Sequence, residues 1–259
     1  MSTTVAAAPW REAFLSDMES MKSPNFTLSS VYQVSPSCFL PRARTVVYRG
    51  LWACLVANSK NPAALNPAMY QTDLPTITTD CRMHKVSELF SSSTPAGSFL
   101  SAKGGPIEAV FWADESQTQW RIRGHVYMIG PDIDSDNAAS VRESLMPYMR
   151  KIRAEEPTEE PWSWSRELTA HFGNVSPSMR GTFRNPPPGT PISEKPEEQG
   201  LCLGQKVEDV HDAVARKNFR VLVIVPEEVD KVDLAAPDGG RRWKYTLERE
   251  SWKETELWP

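Results

Sequence analysis

No apolar run in this chain approaches the ~20 residues needed to cross a bilayer as a helix, so a helical membrane span is not expected. Cysteine is sparse. Cys38, Cys54, Cys81 and Cys202 are far apart and form no C-x-x-C pair. That spacing argues against a structural zinc site and a disulfide framework, and suits free thiols in a reducing compartment. The four histidines, His84, His125, His171 and His211, show no ligand spacing, so no metal is expected. Neither G-x-G-x-x-G nor G-x-x-x-x-G-K-[ST] occurs, and strands do not alternate regularly with helices, which disfavours a dinucleotide or P-loop sheet. A basic excess is also missing. The net charge of −4 argues against a nucleic-acid coat or an anionic-membrane binder. The first residues lack the charged and apolar regions of a signal peptide, which makes the cytoplasm the expected location.

The 259 residues do include 22 prolines and nine tryptophans, and 40% of them are hydrophobic. A single domain, 1–259, rich in loops and with a sizeable core is expected. Trp10, Phe14, Met18 and Met21 make one apolar stripe, predicting a helix over residues 9–22. Residues 26–50 turn to β-like sequence, with Pro36 and Pro41 as punctuation. Residues 51–72 read as a loop insertion with weak helical content, because asparagine and proline crowd it. A short strand is expected at 74–79, a short helix at 84–90 and a loop at 91–105.

The clearest element is a hairpin. Ile107–Trp112 leads through Asp114-Glu115-Ser116 into Gln119–Tyr127. In the second strand Trp120, Ile122, Gly124 and Val126 face one way. Gln119, Arg121, Arg123 and His125 face the other, toward water or a polar ligand. Helices are expected at 138–153, 162–172 and 207–217, with an acidic linker at 155–160. Ser176 can cap a further helix ending at Phe183, with Pro177 at its first position. Pro186-Pro187-Pro188-Gly189 ends that helix, and residues 185–205 read as a second loop insertion that includes the acidic stretch 194–198. Strands are expected at 219–225, 229–234, 241–248 and 252–257. The order predicts a mainly β chain with peripheral helices, an antiparallel barrel in the α+β class.

Three basic clusters lie in or beside these strands: Arg44-Thr45-Val46-Val47-Tyr48-Arg49, Thr79-Asp80-Cys81-Arg82-Met83-His84-Lys85, and Gln119-Trp120-Arg121-Ile122-Arg123. Cations built into neighbouring strands of an acidic protein suggest a pocket for a phosphorylated anion. Arg82 and Lys85 at a helix start would oppose the helix dipole unless an anion sat there. Taken by themselves, Ser176 and Arg180 read as an N-cap and a surface residue.

The ordered set resembles the pyridoxamine 5′-phosphate oxidase-like FMN-binding split-barrel family, in its divergent branch from cyanobacteria, plants and fungi. The matching stretches are Pro41-x-x-Arg44-Thr45-Val46-Val47-x-Arg49-Gly50, Thr79-Asp80-x-Arg82-x-x-Lys85 and Gln119-x-Arg121-Ile122-x-Gly124. Ser176-Pro177-x-x-Arg180-x-x-Phe183-x-x-Pro186-x-Pro188-Gly189 and Arg242-x-x-x-Tyr245…Trp252-x-x-x-x-x-x-Pro259 follow. The resemblance implies an FMN-binding split β-barrel, a homodimer with FMN at its interface. Arg44, Thr45, Val46 and Val47 would lie along the flavin ring, and Thr79, Arg82 and Lys85 at the phosphate. Gln119, Arg121 and Arg242 would reach the flavin, with Ser176 from the partner subunit, and Arg49 would orient an anionic substrate. Several positions depart from the oxidases: Asp238 and Gly240 stand where the oxidases carry the substrate's Arg and His, Val232 and Leu234 stand near their Trp, and His84 replaces the Arg that precedes their phosphate-motif Lys. The function implied is an FMN-dependent oxidoreductase with an altered substrate pocket. The alternative is a non-catalytic flavin-binding or partner-binding module. No catalytic side chain is assigned.

Overall fold

The computed structural model describes residues 4–90, 100–152, 160–194, 200–235, 237 and 239–259. Most of the acidic linker at 155–160, most of the stretch at 194–198, the first part of the loop at 91–105, and Asp238 lie outside the described residues.

Among the described residues ten strands and six α-helices alternate irregularly. In chain order they are α1 (Arg11–Ser20), β1 (Asn25–Ser35), β2 (Cys38–Val47), β3 (Tyr70–Gln71), β4 (Thr76–Asp80) and α2 (His84–Phe90). Then come β5 (Ala102–Ala113), β6 (Thr118–Ile129), α3 (Ala139–Leu145), β7 (Arg150–Lys151), α4 (Trp164–Gly173) and α5 (Pro177–Thr182). The last are α6 (Ala213–Asn218), β8 (Phe219–Asp233), β9 (Arg241–Glu248) and β10 (Ser251–Leu257). The main sheet runs β10-β9-β8-β6-β5-β1-β2, with β4 also paired to β8. Its two ends stay apart, so it is split-barrel-like and not closed.

β8 organises the fold. One edge follows β6 along almost its whole length. The other edge pairs first with β4, at 219–223, and then with β9, at 228–233. The change comes around Pro226, which has no N–H to give a ladder and sits opposite Gly124 at a register shift. The two strands expected at 219–225 and 229–234 are therefore one strand bent at a proline. Gly124 is required there, because a Cβ at this position would lie 2.0 Å from the Val225 carbonyl oxygen. Gly124→Ala is expected to destabilise the protein by about 1–3 kcal/mol through forced backbone movement, read as a lower urea midpoint.

Two apolar clusters lie on the two faces of this sheet. Leu222, Ile224, Trp120 and Ile122 join α1, whose Phe14 makes edge-on contacts with Trp10, Tyr48, Phe111 and Trp120. Phe219, Val221, Val223 and Val225 join Ile129 and the helical layer of α3, α4 and α6. That layer covers only one end of β8. At the other end the outward face of β6, β8 and β9 carries ion pairs instead, such as Lys244–Glu228 at 2.7 Å and Arg123–Glu228 at 3.2 Å. The hairpin β5–β6 has the expected alternation, with Trp120, Ile122, Gly124 and Val126 buried.

Several expectations needed correction. The helix expected at 138–153 stops at Leu145 and passes into a 3-10 turn over Met146–Tyr148, because Pro147 cannot continue it. The helix expected at 207–217 starts only at Ala213, where the Asp212 carboxylate caps the Ala215 N–H at 2.8 Å. Residues 51–69 contain no helix. Their asparagines bond to α4 instead: Asn61 Nδ2 donates to Ala170 O at 3.0 Å, and Asn66 Nδ2 to Glu167 at 2.9 Å. Arg180 is not a surface residue. It is 2% exposed and donates to the carbonyls of Gly173, Val175 and Val207.

Candidate functional site

β2 ends at Val47, and Gly50 with φ +87° turns the chain toward β4. The turn is tied down by Arg49 N–H to Thr76 O and Thr76 N–H to Gly50 O, both 2.9 Å. Beyond β4, the turn Cys81–Met83 leads into α2, which opens at His84 and Lys85. Facing them, α5 runs into Asn185-Pro186-Pro187-Pro188. Gly189, with φ +87°, seats this segment on His84: a Cβ there would lie 2.8 Å from His84 Nε2. Between the two walls is a cavity of about 820 Å³.

The expected site residues divide in four. Thr45, Val46, Val47, Arg49, Thr79 and Lys85 line this cavity together. Arg44 and Arg82 stand beside it but are engaged elsewhere. Arg44 donates to Leu28 O and Ser30 Oγ and pairs with Glu88, which fixes α2 against β1 and β2. Arg82 grips Asp80 with two bonds, Nε at 2.9 Å and a terminal nitrogen at 2.6 Å. Asp80 itself lines the cavity, so Arg82 neutralises a wall carboxylate. Gln119, Arg121 and Arg242 lie at the opposite end of β8, where Arg121 (3.2 Å) and Arg242 (2.8 Å) share the buried carboxylate of Asp230. Ser176 lines neither place. Its hydroxyl accepts from Met179 N–H at 3.3 Å and caps α5.

Two cavity cations form no ion pair among the described residues. Among the described residues Lys85 Nζ hydrogen-bonds Met83 Sδ at 2.8 Å and forms no ion pair, although the charges of Asp80 and Glu88 reach it. Burial, helped by the nearby charge of Arg44, lowers its pKa to about 8. The Arg49 guanidinium makes no hydrogen bond or ion pair among the described residues, and its Nε is buried. Burial pushes its pKa down from the usual guanidinium value. An ionised group held out of water without a counter-charge is costly, so this wall is arranged for an anion.

The residues alone did not show the proline-rich segment as a wall. Pro186, Pro187, Pro188, Pro191, Ile192 and Leu203 line the cavity, although by itself the run reads as a helix terminator and only the resemblance picks out Pro186, Pro188 and Gly189. A signal was present in Gly189, whose positive φ marks a fixed turn, but its partner His84 is about a hundred residues away in the chain.

Residues 7–130 match the family model described as pyridoxamine 5′-phosphate oxidase, FMN-binding domain. An uncharacterised protein of Saccharomyces cerevisiae is 21% identical, with 97% of this chain and 98% of the yeast protein covered. A pyridoxamine 5′-phosphate oxidase-related, FMN-binding protein from Nostoc punctiforme has a similar fold, with TM-score 0.60 and 20% identity. That match covers 98% of this chain and all of the Nostoc one. Among the described residues no helix is long and apolar enough to cross a membrane, and no cluster of His, Cys, Asp or Glu could hold a metal ion. With its split-barrel-like sheet and this matching stretch, the chain is similar over residues 7–130 to the pyridoxamine 5′-phosphate oxidase FMN-binding domain family.

Proposed function

We propose that this protein binds FMN non-covalently between two copies of the chain and works as an FMN-dependent oxidoreductase with its own substrate pocket. The observation that carries the reading is the half-buried Lys85 on the wall of the large cavity, which makes no ion pair among the described residues. A dianionic phosphate supplies the counter-charge that Lys85 lacks, with Thr79 and the Arg82-neutralised Asp80 beside it. Thr45, Val46 and Val47 give the flavin ring an apolar edge of strand to lie on. When bound, FMN would supply the two-electron chemistry. The chain's part is to hold the phosphate, keep Asp80 neutralised and exclude water with the proline wall.

Two copies are called for because the expected flavin residues lie at both ends of β8. The exposed apolar side chains of the β1–β2 hairpin, Val31, Val34, Phe39 and Leu40, suit cover by a second copy. The altered pocket is supported by Gly240, which offers no side chain where the oxidases carry a substrate-binding one. Arg180 is buried under three carbonyls and cannot replace it. Cytoplasmic location is supported by the four unpaired cysteines. The alternative of a flavin carrier without turnover is favoured by the same missing clamp.

The test is an absorption spectrum of the purified protein alongside its mass in solution. Oxidised-flavin bands on a dimer support the proposal, and a colourless monomer that takes up no added FMN sinks it. A pH profile tests the Lys85 role separately. The group is cationic below its pKa of about 8, and the FMN phosphate is a dianion above about pH 6. FMN affinity is therefore expected to peak between about pH 6 and 8, then fall by up to about tenfold per unit above 8 as binding must recruit a proton. Fluorescence titration across pH 6–10 reads this, and a flat profile would exclude Lys85 from the phosphate site.

A further inference from the structure

The wall of the large cavity that faces Lys85 is apolar and open to solvent. Met179 on α5 is 44% exposed, Leu203 is 71% exposed, and Ile192 is fully exposed. All three line this one cavity, although they come from separate stretches of chain. Single exposed apolar side chains are ordinary on a protein surface. Three at one cavity mouth, beside Pro187 and Pro191, mark a place for an apolar ligand. The wall is also set before anything binds. Thr190 Oγ1 donates to Pro187 O at 2.8 Å, and Glu194 N–H donates to Pro191 O at 2.9 Å. Prolines fix φ along the segment, so little chain entropy is lost when a ligand settles on it. Met179 adds a flexible, polarisable side chain that adapts to an irregular shape.

Charge is divided between the two walls. Arg49, Lys85 and Asp80 belong to the strand and α2 side, and Asp80 is matched by Arg82 at 2.6 Å. Among the described residues the proline side carries one charged group, the exposed Glu194. An anionic group placed on that side would lose water and meet a carboxylate with no cation beside it. We propose that the substrate is an uncharged, apolar molecule whose hydrocarbon body lies on Met179, Pro191, Ile192 and Leu203, next to the phosphate end of the cavity and not in it. Its role as substrate rests on the FMN reading, but its binding to this wall does not.

The test uses two fluorescent probes on the full chain. N-phenyl-1-naphthylamine is uncharged, and 8-anilino-1-naphthalenesulfonate has the same frame with a sulfonate added. Saturable binding of the amine is expected, with the sulfonate about tenfold weaker or worse. Ile192→Asn combined with Leu203→Asn is expected to weaken the amine about tenfold, because the probe loses hydrocarbon to lie against. Both side chains are exposed, so the urea midpoint of this variant should match that of the unaltered protein. The amine should stay bound in the presence of excess FMN. Amine binding to a protein that takes up no FMN would sink the FMN reading and still support this binding wall. Tighter binding of the sulfonate, unchanged amine affinity in the double variant, or displacement of the amine by FMN would each overturn the proposal. So would conversion of a dimer to monomers by the double variant, which would make this wall a contact between copies.

Discussion

Changing Lys85 to Met and Arg82 to Ala together is expected to weaken FMN binding by a hundredfold or more. The two losses have different origins. Lys85 is a cavity-wall cation that makes no ion pair among the described residues, and removing it deletes a charge-assisted bond worth about 1.5–3 kcal/mol. Arg82 acts through Asp80. With the guanidinium gone, a carboxylate only 5% exposed faces the phosphate without its counter-ion. Breaking one side of a buried pair leaves an uncompensated charge, and here that charge repels the ligand. The two mechanisms separate in a third variant. Asp80→Asn added to Arg82→Ala is expected to restore most of the lost affinity, whereas it cannot rescue Lys85→Met. Fluorescence titration of FMN measures all of these. If Arg82→Ala loses affinity and Asp80→Asn fails to rescue it, Arg82 holds the phosphate directly.

The difference between these two roles was half visible in the sequence. Thr79-Asp80-Cys81-Arg82 places an acid two residues before the arginine, close enough for a local pair, yet cations in such a run read first as ligands for an anion. Elements with strong local periodicity were legible. The β5–β6 hairpin follows from strict alternation over its second strand, and α5 follows from Ser176-Pro177. Features made by distant contacts were not. Arg180 reads as a surface residue because nothing nearby in sequence shows that the carbonyls of Gly173 and Val207 converge on it. Pro226 looks like the gap between two strands because only the partner strands, β4 before it and β9 after it, show that β8 runs through. The family resemblance supplied the list of flavin residues, but not their separation into two groups.

That separation leads to the second large effect. Lys85 follows β4, which pairs with the start of β8 at 219–223, whereas Arg121 and Arg242 converge on Asp230 near its end. Strands rise about 3.3 Å per residue, so roughly nine residues of β8 place the two groups about 30 Å apart. One flavin cannot touch both within one copy, but two copies related by a two-fold axis can bring one group from each to each of two shared cofactors. Arg242→Gln is therefore expected to impair FMN binding even though Arg242 is remote from the cavity of its own chain. The decisive experiment mixes two defective proteins: Lys85→Met with Arg82→Ala, and Arg242→Gln with Arg121→Gln. Each alone should bind FMN poorly. After unfolding and refolding together, random pairing makes half the dimers mixed, each with one intact site and one doubly defective site. About a quarter of all sites should then bind with wild-type affinity. Titration of the mixture should resolve that high-affinity fraction. If none emerges while affinity capture of one tagged variant recovers the other, the two groups do not serve one site, and the flavin is held by the Lys85 cavity of a single chain.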